Sequence, residues 1–110
     1  MKKIVLISFL ALGLAQEYPN LGSDNFLDFA TWNIEWYAKN NQTTVNYVVD
    51  IIEQLDLDII AIQELNDTNM FDQMLDGLPD YSGYYESLWF AGLAYIYKTD
   101  VIDVNDIYEI

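Results

Sequence analysis

The sequence predicts an α/β (α+β) fold with the element order β-α-β-α-β-β behind an amino-terminal leader, and three observations predict it. Two strings about thirty residues apart, Ala30-Thr31-Trp32-Asn33-Ile34-Glu35-Trp36 and Asp58-Ile59-Ile60-Ala61-Ile62-Gln63-Glu64, each read as a buried strand that ends in polar groups. One amphipathic helical stretch lies between them, which makes the unit β-α-β. A second helical pattern and then tyrosine-rich, strand-like runs follow. Strands joined by a crossover helix run parallel, so their carboxyl ends share one rim of the sheet. That rim is where open α/β sheets bind ligands.

Residues 1–15 carry the marks of a secretory leader. Met1-Lys2-Lys3 is a basic start, residues 4–14 are apolar, and Gly13-Leu14-Ala15 puts small residues where a signal peptidase reads. The apolar run is too short to span a bilayer comfortably. No cysteine follows it to take a lipid. The expected location is therefore secreted or periplasmic, with no stable membrane anchor. Residues 16–25 are expected to be a linker, because Pro19, Asn20, Gly22 and Ser23 are turn and breaker residues. Residues 26–110 are expected to form the domain.

Residues 26–34 are the first predicted strand. Phe26, Asp28, Ala30 and Trp32 share one face and Leu27, Phe29, Thr31 and Asn33 the other, so neither face is cleanly polar, as in a strand covered on both sides. Thr43 or Thr44 is the expected N-cap of a helix over 44–57. Val45, Val48, Val49, Ile52 and Leu55 recur there at helical spacing. So many β-branched residues lower intrinsic propensity, and packing on a sheet must stabilise the helix. Residues 59–63 form the second strand. Residues 67–78 form the second helix, with Met70, Phe71, Met74, Leu75 and Leu78 on one face and Gly77 and Pro79 ending it. Residues 81–87 and 93–98 are strand-like, and 101–104 and 107–110 are expected to begin another strand.

Composition narrows the function classes. A hydrophobic share of 53% with 15% aromatics exceeds what disordered chains carry and argues for a packed core, with strands still to be covered. There are 18 acidic residues against four lysines, for a net charge of −14. Two of those lysines lie in the leader, which leaves Lys39 and Lys98. Such a charge disfavours non-specific association with nucleic acid or anionic lipid and favours divalent cations. It also fits a solvated surface or a saline or acidic habitat. With no cysteine, disulfides and thiolate metal sites are excluded.

The candidate chemistry gathers at the predicted rim. Glu64 is a carboxylate at the end of a buried strand, where desolvation is costly unless it is paired or metal-bound, although an acid at a strand end is often simply exposed. Mg²⁺ takes few protein carboxylates, keeps several waters and uses substrate phosphate as a further ligand, which suits a single strand-end Glu. Asn33 supplies a neutral amide that can both donate and accept at that rim, and equally can cap the turn after its strand. Glu35 admits two readings, a second and weaker metal contact or a loop carboxylate facing water. Gln63 should point opposite to Glu64 by strand alternation, which makes it structural. Tyr81, Tyr84, Tyr85, Trp89 and Phe90 could stack bases or sugars, or simply pack.

Trp32-Asn33-Ile34 and Ile60-Ala61-Ile62-Gln63-Glu64, with a looser match over 92–98, resemble the opening motifs of the endonuclease/exonuclease/phosphatase superfamily. The resemblance implies the amino-terminal portion of a DNase I-like two-sheet α/β sandwich. It implies a metal-dependent phosphodiesterase or phosphatase, most simply a nuclease, with Glu64 and Glu35 as metal contacts and Asn33 as a catalytic group that orients the attacked phosphate. Mg²⁺, or Mn²⁺ or Ca²⁺ in its place, is the implied cofactor, and a phosphate ester, nucleic acid among the candidates, the implied partner. Oligomeric state is not implied. The family's Asp/Asn pair and closing Asp-His motif come later in its sequence, and the 110 residues here contain no histidine. This stretch alone is therefore expected to be inactive. A non-catalytic acidic α/β module that binds cations or a protein is the competing class. A glycosidase using Glu35 and Glu64 is a third, for which these residues offer no enclosing cleft.

Overall fold

The structure, a computed structural model, describes residues 17–86 and 92–108. The expected leader lies outside the described residues, as do Ser87, Trp89 and Phe90. The elements are β1 (Phe29–Tyr37), α1 (Gln42–Leu55), β2 (Ile59–Leu65), α2 (Thr68–Asp76), β3 (Tyr81–Glu86) and β4 (Gly92–Lys98). The observed order is the predicted one. The strands form one mixed sheet in the order β1-β2-β4-β3. β1 and β2 are parallel, and β4 runs antiparallel to both β2 and β3.

Alternation divides the sheet cleanly. Ala30 on β1, Ile60 and Ile62 on β2, and Ala94 and Ile96 on β4 are buried. They pack with Val45, Val48, Ile51, Ile52 and Leu55 of α1 and Phe71 and Met74 of α2. Phe71 is fully buried and meets Tyr85 of β3 edge to face, with ring centroids 5.4 Å apart. Gly83 permits this approach, because a Cβ there would stand 2.9 Å from the Tyr95 carbonyl oxygen and 3.0 Å from the Phe71 ring. The opposite face is open. It exposes Phe29, Leu93, Tyr95 and Tyr84, and residues 102–108 lie beside Tyr84, Tyr95 and Tyr97 to form a shallow groove. Among the described residues, one sheet, two helices and an open apolar face make a partial DNase I-like α/β arrangement, as the resemblance implied. Among the described residues no helix is long and apolar enough to cross a membrane.

Several boundaries move for physical reasons. The first strand starts at Phe29 rather than 26 because Phe26 and Leu27 face solvent and Asp28 is tied into a turn. The Asp28 amide donates to the Asp58 carboxylate at 2.8 Å, and the Asp58 and Ile59 amides donate to the Asp28 carbonyl. The strand also runs three residues beyond Ile34, to Tyr37. Neither Thr43 nor Thr44 is the N-cap of α1. Asn41 holds that position without a side-chain cap, and the Thr44 hydroxyl accepts from the Asn40 amide just before the helix. Asp67 is the N-cap of α2 and accepts from the Met70 amide at 3.0 Å. The strand expected at 101–104 is absent. The Ile102 amide turns back to the Lys98 carbonyl at 3.0 Å, and β4 already has a neighbour on each edge.

Candidate functional site

β1 and β2 are in register from Phe29↔Ile59 to Asn33↔Gln63, and then the register shifts before Tyr37↔Leu65. β2 shifts against β4 at the same place, between Gln63 and Leu65. Residues 34–36 on β1 and Glu64 on β2 are thus extra residues in a shared bulge at the carboxyl ends of the parallel pair. Bulges end regular pairing and re-aim side chains. Glu64 has φ 62°, Glu35 44° and Trp36 57°, all in the left-handed region. None is glycine, so each carries backbone strain that its surroundings must hold in place.

The bulge decides where the Glu64 carboxylate goes. In regular alternation Glu64 would follow Ile60 and Ile62 onto the helix-covered face, both of which are 1% exposed. Asn33 faces the other way, in register with Gln63. The left-handed turn at Glu64 removes that conflict. Asn33 Nδ2 donates to Glu64 Oε1 at 2.8 Å, in an exposed setting. Asn33 Oδ1 accepts from the Glu35 amide at 2.9 Å, an Asx turn that orders the start of the β1 bulge. Both ends of the Asn33 amide are therefore engaged, which fixes its orientation.

Glu35 is brought to the site through its backbone. Its carboxylate pairs with Lys39 four residues on, at 3.4 Å and largely in solvent. Such an exposed pair contributes little to stability. Behind the rim the chain is anchored firmly. Tyr37 is fully buried, and its hydroxyl donates to the Met70 carbonyl at 3.0 Å. Burial pushes the pKa of that hydroxyl up, and the Asp67 carboxylate adds to the effect. The Asn66 amide donates to the Tyr37 carbonyl at 2.9 Å, joining the two loops that leave the rim.

The donor set suits some cations and not others. Among the described residues no group of three or more His, Cys, Asp or Glu side chains could enclose a metal. A closed zinc or calcium cage is therefore not built from these residues. A single carboxylate, oriented by an amide at an open rim, fits Mg²⁺, which retains waters and shares substrate oxygens. Glu64 is the residue that would hold it.

The sequence places Asn33 and Glu64 on one rim, and the structure brings the two side chains into contact there. Sequence reasoning missed the bulge, the Lys39 partner of Glu35 and a polar contact between Gln63 and Thr31, whose Nε2 and Oγ1 are 2.7 Å apart. Parallel pairing with in-register Thr31 and Ala61 could have suggested that last contact, since Gln63 lies one step further on the same face.

Residues 30–109 match the Endonuclease/Exonuclease/phosphatase family. The matched span takes in both strings at the rim and all four strands from Ala30 onward. No curated protein matches the chain.

Proposed function

The chain belongs to the endonuclease/exonuclease/phosphatase family, and on that premise we propose that its rim is the metal- and phosphate-binding half of a secreted, metal-dependent phosphoesterase site, most simply that of a nuclease. The family is one of phosphoesterases, nuclease-like enzymes among them, and its members generally use divalent metals. The observation that carries the reading for this chain is the 2.8 Å hydrogen bond from Asn33 to Glu64 at the carboxyl ends of two parallel strands.

Glu64 would hold a Mg²⁺-type ion through its carboxylate. When bound, such an ion polarises a phosphate ester and neutralises charge on the leaving oxygen. Asn33 keeps the Glu64 carboxylate turned outward. Its neutral amide lies beside the place an anionic phosphoryl oxygen would occupy, where it adds no repulsion and can donate. Glu35 would serve as a weaker contact, by exchanging Lys39 for the ion. The chain contains no histidine, so these residues bind and orient without completing turnover on their own.

Calorimetric titration with Mg²⁺ tests the proposal. One dominant site, lost in Glu64→Gln, supports it. Many weak and equivalent sites, unchanged in Glu64→Gln, would instead identify an acidic cation-binding module.

A further inference from the structure

Gln63 is the last residue of β2 in regular register with both neighbours, pairing with Asn33 on β1 and Leu93 on β4. Its side chain does not extend toward the rim. It reaches back and across, so that Nε2 donates to Thr31 Oγ1 at 2.7 Å and to the Ala61 carbonyl at 3.1 Å. Both contacts are half-buried. They sit on a sheet face whose other side chains include Phe29, Leu93 and Tyr95. Two half-buried polar side chains on such a face offset each other's desolvation only while they stay bonded. An apolar pair would pack there without that condition.

We infer that Thr31 and Gln63 form a positioning clasp that holds the register of β1 against β2 at the edge of the bulge, and so keeps the Glu64 carboxylate turned toward Asn33. This rests on the reading of Glu64 as the metal-holding residue.

The physical need follows from the geometry. A one-residue slip between strands moves every side chain to the other face. The bulge puts three residues of β1 against one of β2, so pairing beyond Gln63 gives little resistance to a slip. Glu64 also sits at φ 62°, a conformation that a non-glycine residue leaves readily unless it is held. The clasp lies immediately before that residue. It ties β2 to β1 by side chains at the position where the backbone ladder gives out. Thr31 and Gln63 touch neither a cation nor an ester; they act through Glu64.

Three variants test the clasp. Thr31→Val removes the acceptor and keeps the branched shape, whereas Thr31→Ser keeps the hydroxyl. Gln63→Met keeps the length, removes both donors and carries the same comparison from the other partner if Thr31→Val does not fold. The first readout is the Asn33 side-chain amide resonance in metal-free protein. It should move toward the position of a free amide in Thr31→Val and Gln63→Met, and stay in place in Thr31→Ser. The second readout is Mn²⁺ affinity, expected to weaken about tenfold in the first two variants and to be retained in Thr31→Ser. A lowered unfolding midpoint with the Asn33 resonance unmoved would overturn the clasp and leave the pair merely structural. If the resonance moves as expected but Mn²⁺ binding never depends on Glu64, the clasp stands and the metal reading falls.

Discussion

Asn33 and Glu64 stand at positions that regular strand alternation would send to opposite faces of the sheet, yet they share a 2.8 Å hydrogen bond. The left-handed backbone at Glu64 makes this possible. A strained residue at a rim where ligands bind is a place where stability has been exchanged for orientation.

That exchange is measurable at Glu64 itself. Glycine adopts φ 62° without penalty, whereas alanine does not. Glu64→Gly should therefore unfold at higher denaturant than Glu64→Ala, by about 1 kcal/mol. Both should lack the single Mg²⁺ site proposed for the native protein. Equal stability of the two variants in urea would show that the backbone at this position is not held in the left-handed region.

The neutrality of Asn33 matters as much as its reach. Asn33→Asp would put a second carboxylate against Glu64, and like charges in contact repel. The variant should lose about 1 kcal/mol, or roughly 5 °C of thermal midpoint, in metal-free buffer. Added Mg²⁺ should restore more of the midpoint than it adds to the native protein. Thermal melts in EDTA and in Mg²⁺ check both halves of the expectation.

At the other end of β2 a charge cluster fastens the sheet. Lys98 is largely buried, its Nζ donates to the Asp56 carbonyl at 3.0 Å and pairs with the Asp56 carboxylate, and it lies 3.8 Å from Asp58. The hydrogen bond from Lys98 holds the Asp56 carboxyl below its usual range, against an opposing effect of burial and with help from Asn20. Burial pulls Lys98 down, but the Asp56 hydrogen bond and the charges of Asp56, Asp58 and Asp100 outweigh it and raise the ammonium. The Asp56 contribution is full above the unfolded carboxyl value of about 3.9 and is lost as pH falls through the lower folded value. The Lys98 contribution is full below about 10.4 and is lost as pH rises through the higher folded value. Lys98→Met should therefore cost about 2 kcal/mol on the plateau between, chiefly by leaving buried Asp58 with the Asp28 amide but without its neighbouring positive charge, with Asp56 half in solvent and discounted accordingly. It should also flatten both limbs of a plot of urea midpoint against pH.

The β1-α1-β2 unit was legible because buried strands and an amphipathic helix write different periods into the chain. Ile60, Ile62, Val45, Val48 and Ile52 fell where those periods put them, and the shared rim followed from the parallel connection. The bulge was not legible. Left-handed backbone is signalled by Gly, Asn or Asp, and here Glu35, Trp36 and Glu64 adopt it. The β-branched residues at 101–104 read as a strand, but that property only says that a segment suits a pleated surface, not that an edge is open to receive it. Glu35 remained open because its carboxylate partner, Lys39, lies in a turn whose path no periodicity sets.

The proposed site requires that Asn33 and Glu64 hold one cation and one ester oxygen at the same rim. Mn²⁺ titrated into isotopically labelled protein tests it most directly, because a paramagnetic ion broadens only the signals near it. Selective broadening of the Asn33 side-chain amide and the Glu64 backbone amide at low Mn²⁺, abolished in Glu64→Gln, is the expected result. Broadening spread evenly over the acidic surface, or unchanged in Glu64→Gln, would contradict it.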